Sequence, residues 1–292
     1  MARGVLSESV RIRLDLGYEG TDFSGWARQP GLRTVQGELE AVLARIFSRT
    51  GPAPLLTVAG RTDVGVHATG QVAHVDLTAE QLASLGTARR SPGVEALARR
   101  IDGALGARRD IEVARTSLAP AGFDARFSAL WRRYEYRIAD APAAHDPRRR
   151  RHTLWHPAEL DLEAMNDAAE VLLGLHDFAS FCKPRELATT IRELQAFRWE
   201  RDEDGVLVAR LQADAFCHSM VRALVGACVA AGEGRITAGR VDELRAAEQR
   251  TSEFKVLPAL GLTLTEVGYP PDEELAARAE RTRARRDSEN VA

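Results

Sequence analysis

Val10 to Tyr18 alternates strictly, with Val10, Ile12, Leu14 and Leu16 on one face and Arg11, Arg13 and Asp15 on the other. A period of two with one apolar face predicts a half-buried strand. A loop rich in glycine and aromatics follows, from Gly20 to Gly31. The period then changes. Val35, Leu39, Val42, Leu43 and Ile46 recur at helical spacing behind Thr34, which stands where an N-cap belongs, and Gly51-Pro52 breaks the run. Leu55 to Ala59 and Gln71 to Leu77 predict two further strands. Residues 80–110 read as mainly helical with an interruption at Ser91-Pro92-Gly93, and Ile111 to Arg115 predicts the strand closing this half. The order strand, helix, strand, strand, helix, strand is the split βαβ pattern of ferredoxin-like folds.

The second half repeats the theme. Trp131 to Ile138 alternates, with Tyr134, Tyr136 and Ile138 on one face and Arg133, Glu135 and Arg137 on the other. After a basic loop from Pro142 to Arg151, Asp161 caps a helix carrying Leu162, Met165, Ala169, Leu172 and Leu173. Strands around Leu194–Trp199 and Val206–Ala213 flank a turn at Asp202–Gly205. Met220 to Ala231 predicts an apolar helix, Thr237 to Glu248 an amphipathic one, and Leu262 to Val267 a last strand. The expected fold class is α+β: two ferredoxin-like (split βαβ) halves (residues 1–118 and 119–270) with mixed or antiparallel sheets and a central cleft. From Pro270 the chain is charged without an apolar face, so 271–292 is expected to be a frayed helix or disordered tail.

Composition narrows the classes. The 292 residues are 45% hydrophobic and 28% charged, an ordinary globular balance. Met220 to Ala231 is too short to cross a bilayer and carries Arg222, and the first residues lack the apolar core of a secretory leader. No membrane association and a cytoplasmic address are therefore expected. Cys182, Cys217 and Cys228 have no CxxC spacing and are expected to be reduced, mostly buried thiols. His67 and His74 have no metal-ligand spacing, so no metal is expected. The net charge of −2 counts against a general nucleic-acid binder, but arginine is clumped at 89–90, 99–100, 108–109, 132–133 and 148–151. Such clumps are either solvated surface or phosphate contacts, and charge alone leaves both open.

Three segments carry candidate chemistry. Gly60 to Gly70 holds Arg61 and Asp63 in a frame of three glycines between two strands. It is either a site where backbone approaches a ligand or a long connection with an Asx-turn and a solvated arginine. Arg222 lies in an otherwise apolar helix, where it either reaches the surface or meets a carboxylate. Tyr134 shares a strand face with Tyr136, as core or as a platform for a nucleobase.

Together these segments closely resemble the tRNA pseudouridine synthase A family. The resemblance rests on GRTDVGVHATGQV (60–72), FDARFSALWRRYEYRI (123–138), GLHDFASF (174–181), AFCHSMVRALVG (215–226) and GLTL (261–264), with LGYEGTDFSGWARQ (16–29) similar to the family's opening. It covers about residues 10–270 in the family's order. Residues 86–95, longer and more basic, and 102–108, without an Asn-Pro run, depart from the family's pattern. The resemblance implies Asp63 as catalytic aspartate, Arg61 as its companion filling the space of a flipped base, and Arg222 as the aspartate's partner. It further implies Tyr134 as the residue stacking on the target base and Leu262 in the segment that closes over it. It implies uridines 38 to 40 of the tRNA anticodon stem-loop as targets, a homodimer, no cofactor and no metal.

Pseudouridine formation breaks N1–C1′ and rejoins the uracil through C5, with no redox step and no net hydrolysis, and the stacked base must be flipped out first. Two rivals remain at this stage. A non-catalytic tRNA-binding protein could use the same cleft, although a carboxylate facing phosphates weakens binding. A glycosidase or base-excising glycosylase also works at an anomeric carbon, but the former usually needs two carboxylates and only Asp63 stands in a convincing site.

Overall fold

A computed structural model describes residues 9–88, 91–184 and 189–289; the clump Arg89-Arg90 lies outside them. The architecture is mixed α+β, and the chain forms two compact units. The first runs through Thr62, resumes over Ala68–Ala129 and takes in Tyr269–Arg285. The second contains Asp63–His67 and Leu130–Gly268.

The first unit contains β1 (Val10–Tyr18), α1 (Val35–Ile46), β2 (Leu56–Val58), β3 (His67–Leu77), α2 (Ala79–Ser84), β4 (Thr87–Ala88), β5 (Ser91–Pro92), α3 (Glu95–Leu105) and β6 (Ile111–Leu118). Strand β1 pairs antiparallel with β3 on one side and β6 on the other, and β2 pairs with β3. Of its predicted apolar face, Ile12, Leu14 and Leu16 are at most 2% exposed, and Val10 at the strand's start is half-buried. Helix α1 starts at Thr34, whose hydroxyl accepts from Gly37 N at 3.2 Å, and buries Val35, Leu39, Val42 and Leu43. The stretch expected to be mainly helical resolves into two helices separated by the antiparallel strands β4 and β5. A capping box between Thr78 and Gln81 opens α2, and Gly86, at φ 75°, stops it after six residues.

Of the two expectations for the segment after Pro270, a frayed helix or a disordered tail, the structure has a helix, and it docks. Helix α7 (Leu275–Glu289) buries Leu275 and Ala279, and its Arg283 donates to Asp124 Oδ2 at 2.7 Å. Two apolar residues one turn apart are too few for periodicity to register, yet they suffice to dock a helix whose other contacts are polar. Ser128 Oγ donates to Leu275 O and Arg278 to Ala129 O.

His74 shows how this unit answers to pH. It is 4% exposed, and its Nδ1 accepts from Ala125 N at 3.0 Å, a bond that requires the neutral ring. Burial first, then the positive charge of Arg11, hold it down at about 4, against opposition from Asp124 and Asp76. The unfolded chain therefore binds a proton between about pH 6.5 and 4 that the native chain refuses. Stability is complete above 6.5 and falls, by on the order of 2 kcal/mol, as pH drops toward 4. Denaturant midpoints from pH 7 to 4.5 should show this slope. In His74→Asn, which keeps an acceptor but not the titration, the slope should shrink; an unchanged slope would refute the assignment.

The second unit contains β7 (Trp131–Ala139), β8 (Leu154–Trp155), α4 (Leu162–Glu170), β9 (Gly174–Asp177), β10 (Ile191–Arg201), β11 (Leu207–Ala213), α5 (Met220–Gly232), α6 (Ala238–Ala246) and β12 (Leu262–Gly268). Strands β12, β7, β11, β10 and β9 pair in that order, all antiparallel, and β8 runs parallel to β7. Asp161 caps α4 by accepting from Glu163 N and Ala164 N. Asn166 then clasps β10 with its whole amide, donating to Trp199 O and accepting from Trp199 N. Among the described residues no helix is long and apolar enough to cross a membrane.

Candidate active site

Helix α5 is apolar almost throughout, and twelve of its thirteen residues are buried. The thirteenth is Arg222, whose side chain is 19% exposed. Of the two sequence readings, it meets a carboxylate: Nη2 lies 3.2 Å from Asp63 Oδ2. The same Nη2 donates to Ser219 Oγ at 2.9 Å, and Nη1 to Leu257 O at 3.3 Å. One guanidinium therefore ties together the Asp63 turn, the start of its own helix and the chain leading to β12. Leu257 N returns a bond to Arg222 O at 3.1 Å.

The start of α5 is unusual. A serine at an N-cap ordinarily accepts from the first free amides of its helix. Ser219 makes no such bond; it sits in the left-handed region at φ 66°, and its hydroxyl serves Arg222 instead. That conformation costs a residue with a Cβ about 1–2 kcal/mol. What it achieves is a sharp turn that presents both His218 and Arg222 to Asp63, with His218 Nε2 3.6 Å from Asp63 Oδ1. The sequence reading did not single out His218. Its signal was position alone, four residues before Arg222.

Asp63 itself heads a tight turn in which Val66 N donates to Asp63 O at 3.2 Å. Gly65, third in this turn, has φ 78°, and a Cβ there would stand 3.3 Å from Ala259 Cβ. His67 closes the segment by donating from Nε2 to Leu260 O at 3.0 Å, which pins the turn against the residues before β12. Just upstream, in the first unit, Thr62 O accepts from Trp26 N, Thr62 Oγ1 bonds Tyr18 Oη, and Gly60 O accepts from Gln71. The glycine-rich connection is thus anchored at both ends, and Asp63 is left 31% exposed.

Tyr134 lies on β7 opposite Leu211 and Leu264, 8% exposed, with its ring edge-on to Phe216 at 5.1 Å. Phe216 stands two residues before His218, so Tyr134 packs on the segment that carries the Asp63 partners. Tyr136, on the same strand face, is a core residue: it is fully buried, donates to Pro258 O at 2.8 Å, and its hydroxyl is driven upward in pKa by burial, with Arg222 opposing. Leu262 opens β12 opposite Tyr136 and is 5% exposed. Asp63, Arg222, Tyr134 and Leu262 therefore all fall in the second unit. Arg61 does not; it belongs to the first unit, with an exposed side chain.

One expectation is overturned. Cys182 and Cys217 are joined in a disulfide, with Cα atoms 5.8 Å apart, rather than standing as separate thiols. They are 35 residues apart in sequence, and their neighbourhood arises only in the fold, where Lys183 N donates to His218 O at 2.9 Å. Cys228 does remain a buried thiol, pushed up to about 12 by burial. Among the described residues, no group of three or more His, Cys, Asp or Glu side chains is placed to hold a metal.

Comparison with known proteins identifies the class. A family model described as tRNA pseudouridine synthase matches residues 168–270, from the end of α4 through β12, so this is a pseudouridine synthase, an isomerase. Proteins called tRNA pseudouridine synthase A are similar over nearly the full length. That of Leifsonia xyli subsp. xyli is 62% identical, covering 96% of this chain and 98% of its own. The Streptomyces griseus protein is 54% identical over 94% of this chain and 93% of its own, and the Mycobacterium leprae protein 49% over 97% and 98%. This chain belongs to the tRNA pseudouridine synthase A family.

Proposed function

We propose that this chain isomerises uridine to pseudouridine in the anticodon stem-loop of tRNA, at positions 38, 39 and 40 (tRNA numbering), with Asp63 as the catalytic carboxylate and no cofactor. The observation that carries the reading is the state of Asp63. One oxygen is held by Arg222, while the side chain keeps enough exposure for a substrate to reach it.

Three routes are open to one ionised carboxylate: attack at C1′, attack at C6, or removal of the C2′ proton. In each, N1–C1′ breaks, C5–C1′ forms and the C5 proton leaves. The target base is extruded from its stack at a cost of a few kcal/mol, and stacking on Tyr134 returns about 1–3 kcal/mol. Arg61, exposed at the upstream end of the turn, fills the place the base vacates, and Leu262 closes over it. The strand and helix order of the first unit supports the ferredoxin-like description of that half. The enzyme works in the cytoplasm, where its substrate is, as a homodimer.

The test is tritium release from anticodon-stem tRNA labelled at uridine C5. Label should pass to water as pseudouridine forms, with no free uracil. Free uracil would mark a glycosylase, and binding without release a tRNA-binding protein; either outcome sinks the proposal.

A further inference from the structure

Asp63 has two oxygens, and the structure gives each its own neighbour. Arg222 takes Oδ2 at 3.2 Å, and His218 Nε2 stands 3.6 Å from Oδ1. A carboxylate fixed through one oxygen still turns about its Cβ–Cγ bond; a donor on the other oxygen sets its plane. Each carboxylate oxygen has about two lone-pair positions, so a donor on Oδ1 leaves one free to react.

His218 has a half-exposed side chain, which alone leaves open how firmly its backbone is held. Its carbonyl accepts from Lys183 N at 2.9 Å, and Cys217 before it is joined to Cys182. Cys217 O accepts from Met220 N at 3.1 Å, and Ser219 after it is locked in the left-handed region. A backbone this fixed keeps the imidazole close to Oδ1. The gap of 3.6 Å lies beyond hydrogen-bond reach, and contacts of this kind commonly tighten only when substrate is bound.

We infer that His218 is a second positioning residue for Asp63: with a uridine in the site it donates from Nε2 to Oδ1, and with Arg222 it fixes the plane in which the carboxylate meets the base. The inference rests on the proposed role of Asp63. The test compares parent, His218→Ala, His218→Gln and Asp63→Asn in single-turnover and steady-state C5 tritium release, with thermal midpoints measured alongside. Misplacing a reacting group by about 1 Å costs up to ~10²-fold, so His218→Ala should lose about 10- to 100-fold in kcat. Its KM should stay within about threefold of the parent, as expected when binding is untouched. His218→Gln, whose amide nitrogen stands where Nε2 does, should recover most of the loss. An unchanged kcat in His218→Ala, a loss confined to KM, or a loss that Gln leaves unrepaired overturns the inference. If the parent releases no label, the reading of Asp63 falls first. If the parent is active and Asp63→Asn inactive while His218→Ala matches the parent, only the role of His218 falls.

Discussion

Asp63→Asn should abolish release of the C5 proton while leaving tRNA affinity equal to the parent's or tighter. The substitution keeps the size and planarity of the side chain and removes its charge. An amide neither attacks a carbon nor takes up a proton at neutral pH, so every route open to the carboxylate closes at once. Removing an acid–base group typically costs 10²–10⁴-fold in rate, and here a loss of about that size or more is expected. Affinity behaves differently, because a negative charge beside a polyanion opposes binding and its removal lifts that opposition. Filter binding and tritium release on the same tRNA separate the two effects. Retained turnover would remove Asp63 from the chemistry, and a parallel collapse of affinity would make it a folding or docking residue instead.

Arg222→Met should be the second most damaging change at the site. The guanidinium serves Asp63 Oδ2, Ser219 Oγ and Leu257 O together, and methionine fills a similar volume while serving none of them. Truncating one member of a hydrogen-bonded charge pair costs about 2–5 kcal/mol when the pair is buried. With Asp63 31% exposed, water replaces part of the loss, so the lower end applies to stability, a drop of several degrees in Tm. Turnover should fall further, because Asp63 loses its orientation and the left-handed Ser219 loses the bond that engages its hydroxyl. Circular dichroism and tritium release on Arg222→Met test this, and full turnover in a folded variant would end the pairing role. Arg222→Lys is the sharper companion, since a single ammonium cannot span three acceptors on diverging segments.

Most of the fold was legible because its elements are strongly patterned. The alternation of Val10–Tyr18, the spacing of Val35–Ile46 and the caps at Thr34 and Asp161 state their structure locally. What escaped was fixed by distant partners. Strand β9 is four residues within a stretch read only as a motif, and it exists because Ile191–Leu194 pairs with it. Helix α7 docks through two buried residues and arginine contacts, a pattern hydropathy does not reveal. The Cys182–Cys217 bond and the approach of His218 to Asp63 join positions far apart in sequence, and no local spacing encodes them. Of the site, Asp63 and Arg222 stood out as charges in glycine-rich and apolar surroundings. His218 did not, because a histidine beside a serine carries no such contrast.

The packing of α5 has an evolutionary corollary. Nearly every position along that helix is answerable to the core, and a Cβ on Gly226 would come within 1.9 Å of Lys255 O. Chemistry at this end of the molecule can thus drift only through His218, Ser219 and Arg222, because Met220 and Val221 between them belong to the core like the rest of the helix. Laboratory libraries around the carboxylate should therefore spare Met220 and Val221, whose truncation would hollow out the hydrophobic interior.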